Sequence, residues 1–383
     1  MTKSCTRPSH HAIHNITIIA VSWLALMSLP GCSSARKMTY SPAELRHELK
    51  KQTSLAAPID VVVPFEVPPE QVAKARRAVG TIASRSERAR SLKDVMFDPK
   101  GFGLRYTEVI TRTAAETLEK GEGNCLSLAA VYVGLARGIG LRANFLDASN
   151  RIEEVHADED VVVKTGHVTA VVYTENGKAA LDFGQRFGPF QFFRVMDDME
   201  ATAHFYNNRG YELIHEAQQE SRPIDWNEVA RNFLMATRVR KGFVRAWNNL
   251  GVAYVRLGRL ADARACYEEA IALDPEFASP RTNLGILLME SGDLKAAYAS
   301  FNEAARLDPD SPRTHYHRGL LLFKQGKFEK SATALKRAID LKTDYDLARK
   351  LLARVYLHLG RPTDARRVSP SGEPGRGDYR IGL

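Results

Sequence analysis

Apolar positions fall into four successive patterns along the chain. Ile16 to Leu29 is a nearly unbroken apolar run. After it, charged residues dominate: Ala43 to Lys51 reads as a short helix in a polar stretch. "PFEVPPEQ" punctuates, and Pro68-Pro69-Glu70 suits a helix start for the basic segment up to Ala78. The Arg and Lys residues between Lys74 and Lys93 read as a solvated helix face. Helical periodicity then holds through "TRTAAETLEKGEG" and "NCLSLAAVYVGLARGIGL", and gives way to β-branched runs in "DVVVKTGHVTAVVYTENGKAALDFG". Asn176-Gly177 between two apolar runs signals a hairpin. From about Ala203 the helical period returns and does not leave again.

That last region repeats itself. Gly251, Gly285 and Gly319 are evenly spaced, and the same interval separates Gly258, Gly292 and Gly326, and again Ala270, Ala304 and Ala338. With "AWNNLGVAYVRLGRLADARACYEEAIALDP", this interval of about 34 residues is identified as the tetratricopeptide signature, three repeats over 244–345. Both flanks are irregular. "FYNNRGYELI" echoes "AWNNLGVAYV", but the gap from Gly210 to Gly251 exceeds one interval, as though a short stretch were inserted around "QQESRPID". Trp226 to Arg238 supplies the second helix of this degenerate unit, with Phe233 and Ala236 in phase. Leu347 to Leu359, followed by a helix from Thr363, would cap the other end. The tail 369–383, rich in Gly, Ser, Pro and Arg, is expected to be disordered.

The segment 1–31 reads as a targeting signal. Lys3 and Arg7 precede the apolar run, which is shorter than the roughly 20 residues of a bilayer span. It ends in "LPGCSS", which resembles a bacterial lipobox, with Pro30 where a smaller residue is commoner. The resemblance implies lipid on Cys32 and a membrane anchor. Ser33, not Asp, implies the outer membrane facing the periplasm. Residues 32–66 would then be a tether. The chain has 383 residues, enough for two domains. A formal charge of +9 permits an acidic partner, but no basic-aromatic stripe supports nucleic acid.

Of four cysteines, Cys5 would leave with the signal and Cys32 carry lipid, so only Cys125 and Cys266 remain. Cys266 falls beside Tyr267 on a repeat helix and reads as core. Cys125, in "GEGNCLSLAA", heads a helix whose N-terminal amides and partial positive charge favour a thiolate. Gly121 and Gly123 would leave room for a substrate backbone, and the Cys125 amide could face an oxyanion. Nucleophilic chemistry then needs a histidine base and a group to orient it. Only His156 and His167 lie near the β-runs. His167 opens the strand "HVTAVVY" behind a glycine and is favoured over His156, assigned to an acidic loop. Asp182 ends the following strand. A symmetric Asn176-Gly177 turn would set Asp182 opposite Val171, four residues from His167, so contact needs a bulge or a longer loop.

"GEGNCLSLAAVYVGLARGIGLRA", "GHVTAVVY" and "ALDFG", in that order, resemble the transglutaminase-like cysteine peptidase superfamily over about Leu92 to Gly188. The resemblance implies Cys125 as nucleophile, His167 as base and Asp182 as orienting carboxylate. Relatives often add a Trp or Gln before the Cys as second oxyanion donor. No Trp lies between Cys32 and Cys125 and Gln71 is distant, which leaves Tyr106 or Thr113.

The expected fold is therefore an α+β papain/transglutaminase-like domain, 67–200, then an all-α tetratricopeptide superhelix: a degenerate repeat over 201–243, three repeats over 244–345 and caps over 346–368. The expected activity is cysteine-dependent amide hydrolysis or acyl transfer, with a protein or peptide partner held by the repeats. A catalytically inactive envelope scaffold is the alternative. No cofactor is implied, and no His/Cys/Asp cluster has metal-ligand spacing. Asn283 and Arg313 face the repeat groove, but with no lysine beside them a clamp for a peptide carboxylate is not supported.

Overall fold

The computed structural model describes residues 37–53, 61–107, 111–148, 153–157, 161–165, 168–181, 183 and 194–369. The signal, Cys32 and the expected disordered tail beyond Ser369 lie outside these residues. The first helix, α1 (Pro42–Thr53), is closed by a capping box. The Ser41 amide donates to Glu44 at 2.8 Å and the Glu44 amide to Ser41 Oγ at 3.3 Å. Leu45 and Leu49, one turn apart, are fully buried in the main core, and Val63 and Phe65 join them there. In its described part the expected tether is therefore packed structure. Two apolar side chains spaced four apart suffice to dock a helix whose other positions are polar.

Helices α2 (Pro69–Val79) and α3 (Arg85–Phe97) follow. A short parallel pair, β1 (Arg105–Tyr106) with β2 (Glu122–Gly123), then brackets α4 (Ala114–Lys120). α5 (Cys125–Gly138) is the central element. Every residue from Leu126 to Val133 is buried, and Tyr132 donates its hydroxyl to the Ala89 carbonyl at 3.0 Å. A helix apolar on all sides belongs in an interior, and this one is covered by α2, α3, α4 and a sheet.

The strands are β3 (Arg142–Asp147), β4 (Glu153–Ala157), β5 (Val161–Thr165), β6 (Val168–Thr174), β7 (Gly177–Leu181) and β8 (Arg194–Met196). β7-β6-β3-β8 form an antiparallel sheet, and β4-β5 a separate two-stranded one. His156 lies on β4, opposite Val162, and not in the acidic loop expected for it. The β6–β7 hairpin is present, but shifted from the symmetric turn. Thr174 pairs with Gly177, so Val171 faces Ala180 rather than Asp182. Packing against α3 explains the shift. Glu175, in the turn, accepts from Ser84 Oγ at 2.6 Å and from the Arg85 and Ser86 amides at 3.1 Å, so a turn side chain helps cap α3. Asn176 Nδ2 reaches Ser86 Oγ at 3.2 Å, and Gly177 takes φ 105°, open to glycine at little cost.

The rest is helical: α6 (Asp198–Gln219), α7 (Trp226–Val239), α8 (Val244–Arg256), α9 (Leu260–Leu273), α10 (Ala278–Glu290), α11 (Leu294–Leu307), α12 (Pro312–Lys324), α13 (Phe328–Leu341), α14 (Asp346–His358) and α15 (Pro362–Val368). One contact recurs. A Cβ added at Gly251 would meet Tyr267 at 2.5 Å, at Gly285 Phe301 at 2.7 Å, and at Gly319 Leu335 at 2.7 Å. Gly210 and Phe233 do the same at 2.6 Å, which makes α6–α7 a repeat with a lengthened first helix. Cys266 is buried, its thiol pushed up to about 12 chiefly by burial, and it is a core residue as expected.

The α+β part and the helical part share an interior. Met235, Ala236, Val239, Phe243 and Ala246, from α7 and the turn into α8, belong to the core that contains α5 and the sheet. Asp198, the first residue of α6, is fully buried and receives both Arg137 guanidinium nitrogens at 2.8 Å, together with the Tyr40 amide at 2.7 Å.

Candidate active site

Cys125 is the first residue of α5, and Asn124 is its N-cap. Asn124 Oδ1 accepts from the Ser127 amide and the Ser127 hydroxyl, both at 3.0 Å. That occupies one free amide of the first turn. The backbone amides of Val168, at the start of β6, and of Leu126 and Cys125 favour the charged form of the Cys125 thiol. Cys125 is half-buried. Burial is the largest influence and pushes the thiol pKa up, and the three amides pull it the other way.

His167 and Asp182 lie outside the described residues, as does Cys32. Val168 immediately follows His167 in sequence, and Leu181, the last residue of β7, immediately precedes Asp182. Of the sequence-derived site, the structure describes Cys125 and the strands adjoining His167 and Asp182 in sequence.

The glycines before Cys125 have local backbone duties. Gly121 ends α4 in the left-handed region at φ 72°. A Cβ on Gly123 would fall 2.7 Å from Ser127 Cβ, so Gly123 lets the loop close onto α5. Thr113 is not a free oxyanion donor. Its hydroxyl donates to Glu116 at 2.9 Å and accepts the Glu116 amide at 3.2 Å, both within the capping box of α4. Tyr106 pairs in register with Gly123, and its ring packs on the core.

Sequence reasoning passed over Asn124, although an Asn just before a helical apolar run is a strong N-cap signal. It also passed over Thr111, whose Oγ1 accepts from Asn124 Nδ2 at 2.7 Å. Among the described residues no group of three His, Cys, Asp or Glu side chains is placed to hold a metal ion. Nor is any helix there long and apolar enough to cross a membrane.

A second candidate site lies in the repeats. A cavity of about 220 Å³ is lined by Thr282, Asp308, Asp310, Arg313, Lys342 and Tyr345, among others. Arg313 donates to Asn283 Oδ1 at 2.7 Å, while Asn283 Nδ2 donates to Asn248 at 2.9 Å. The lysine missing from the sequence reading is supplied by Lys342, from the link between α13 and α14. Two carboxylates share the same wall, so the cavity is of mixed charge.

Residues 72–182 match the transglutaminase-like superfamily. Residues 230–276, 248–312 and 316–368 match the tetratricopeptide repeat. No curated protein matches the chain. Among solved structures, MamA from Desulfovibrio magneticus RS-1 is 18% identical over 44% of this chain and 90% of its own, with TM-score 0.36. The thermophilic TPR protein TTC0263 from Thermus thermophilus is 21% identical over 43% of this chain and 87% of its own, with TM-score 0.37. The first TPR of Spaghetti (RPAP3), bound to an HSP90 peptide, is 20% identical over 30% of this chain and 93% of its own, with TM-score 0.30.

Proposed function

We propose that this transglutaminase-like domain with tetratricopeptide repeats is a cysteine-dependent amide hydrolase or acyltransferase, with Cys125 as nucleophile, His167 as base and Asp182 as the carboxylate that orients it. The observation that carries the reading is the place of Cys125 as the first residue of the buried helix α5, packed against β6, whose first residue Val168 follows His167. The free amides of a helix's first turn stabilise a thiolate, and the packing of α5 on β6 brings the residue next to His167 to the same helix. The register of β6 and β7 supports the third role. Continued one pair beyond Ala170 and Leu181, it would set Asp182 opposite Thr169, two positions from His167 instead of four.

In the reaction, His167 would take the thiol proton as Cys125 attacks the carbonyl carbon. The tetrahedral oxyanion would lean on first-turn amides of α5. The C–N bond breaks, the amine leaves with the proton from His167, and water or a second amine resolves the thioester. Peptide or protein segments held by the repeats would supply the amide, and lipid on Cys32 would hold the enzyme at the outer membrane, facing the periplasm.

Burial of the sulfur favours a second reading, an inactive fold used for binding, because it opposes ionisation. Iodoacetamide alkylation at about pH 6, read by mass spectrometry, separates the two, with Cys266 as internal reference. A thiol paired with an imidazolium should react far faster than Cys266 and lose that advantage in His167→Ala. Equal, slow rates at Cys125 in both proteins would reject the enzyme.

A further inference from the structure

A buried carboxylate stands behind the proposed nucleophile, and the chemistry above gives it no task. Glu212 lies in the middle of α6 and is only 5% exposed. Its Oε1 accepts the Thr111 amide at 2.6 Å across a sequence separation of 101, and its Oε2 is buried without a hydrogen-bond partner. Thr111 is fully buried. Its Oγ1 accepts from Asn124 Nδ2 at 2.7 Å.

The direction of these bonds matters. An amide side chain presents nitrogen on one side and oxygen on the other. With Nδ2 committed to Thr111, Asn124 must turn Oδ1 towards the amide and hydroxyl of Ser127. The Ser127 hydroxyl is held in turn by the Arg112 amide at 2.8 Å, next door to Thr111. The Asn124 cap is therefore fixed from behind through Thr111, and the free amides of the first turn are those the cap does not use.

We propose that Glu212 is a positioning residue for Cys125: acting through Thr111, it locks the amide orientation of Asn124 and so the first turn of the helix that presents the thiol. This rests on the acyl-transfer reading for its consequence, but not for its geometry. It also gives the helical part a role in the site, since α6 is the first helix of the first, lengthened repeat. Glu212 has Arg209 beside it at 3.5 Å and Glu216 one turn on, both on its own helix, so no charge in that set belongs to the site itself.

Two readouts on the full chain test this. The first is hydrogen exchange at the Ser127 amide, which reports the cap whether or not Cys125 is catalytic. The second is the alkylation rate of Cys125 relative to Cys266. Glu212→Ala removes the acceptor of the Thr111 amide. It should speed Ser127 exchange about fivefold, the change expected when a cap is lost, and slow Cys125 alkylation. Glu212→Gln keeps an acceptor oxygen and should restore both towards wild type, which a general loss of packing would not do. Thr111→Val removes only the hydroxyl that holds Asn124 and should reproduce Glu212→Ala, and it carries the test if Glu212→Ala does not fold. Wild-type Ser127 exchange in folded Thr111→Val or Glu212→Ala would overturn the proposal. A wild-type Cys125 that alkylates no faster than Cys266 would sink the enzyme reading, and the exchange result would still decide the role of Glu212.

Discussion

Gly285 offers the sharpest test of how the repeats are held. A Cβ there would lie 2.7, 2.9 and 3.1 Å from three carbons of the Phe301 ring. Carbon atoms rest at about 3.5–4.0 Å, so one methyl intrudes by roughly 0.8 Å. Phe301 is fully buried. Gly285→Leu adds three further carbons. Overpacking of this kind costs about 1–3 kcal/mol, against about 1 kcal/mol gained by replacing a helical glycine. The net should be about 2 kcal/mol of destabilisation at the upper end of that cost, read as a lower urea midpoint of the full chain. Gly242→Ala is the control, because nothing lies within 4 Å of a Cβ at that position. Pairing Gly285→Leu with Phe301→Ala should recover stability non-additively, by about 1 kcal/mol or more, because the two residues touch. A Gly285→Leu midpoint equal to that of Gly242→Ala, or strict additivity in the double variant, would refute the crossing contact.

Three more outcomes follow from the geometry. Asp198→Ala strands the Arg137 guanidinium and the Tyr40 amide and should cost about 3–5 kcal/mol, while Arg137→Met with Asp198→Leu should recover much of it; denaturant unfolding of the three variants reads both effects. Burial pushes the Glu212 carboxyl up to about 7 from its ordinary 4.5. The folded state then favours the neutral acid, so the contribution is whole below about pH 4.5 and is lost as pH rises through 7; stability measured from about pH 4.5 to 8 should fall less steeply in Glu212→Gln, and identical slopes would count against the shift. If Cys32 carries lipid as proposed, mature protein partitions into detergent and Cys32→Ala does not; unchanged partitioning would point to another anchor or to none.

The repeats were legible because a close helix crossing imposes the same glycine once in every unit, and periodicity survives in a single sequence. The start of α5 at Cys125 was legible for a similar reason: a glycine-rich turn, then an apolar helical run. Other features depend on partners far along the chain. Leu45 and Leu49 look like stray apolar residues in a charged stretch until the core they enter is known. The hairpin register follows from Glu175 meeting the start of α3, far upstream in sequence, and no local turn rule contains that contact. Glu212 reads as a helix-surface carboxylate, one of many, and only the Thr111 loop folding onto α6 gives it a buried position. Of the proposed triad, Cys125 stands at the start of α5, and the roles of all three residues rest on the sequence and on the strands beside His167 and Asp182.

The shared interior has a consequence for how such a chain could arise and change. Repeat arrays usually gain or lose units by duplication, each hairpin being exchangeable because it meets only its neighbours. Here α7 and the start of α8 contribute Met235, Ala236, Val239, Phe243 and Ala246 to the core of the other part. The hairpins from α9 onward remain free to be copied or deleted, but the first one and a half are grafted. Exchanging them for a generic unit would open a hole beneath the sheet. Variation in repeat number across descendants of this chain should therefore accumulate at the distal end, with the junction inherited whole.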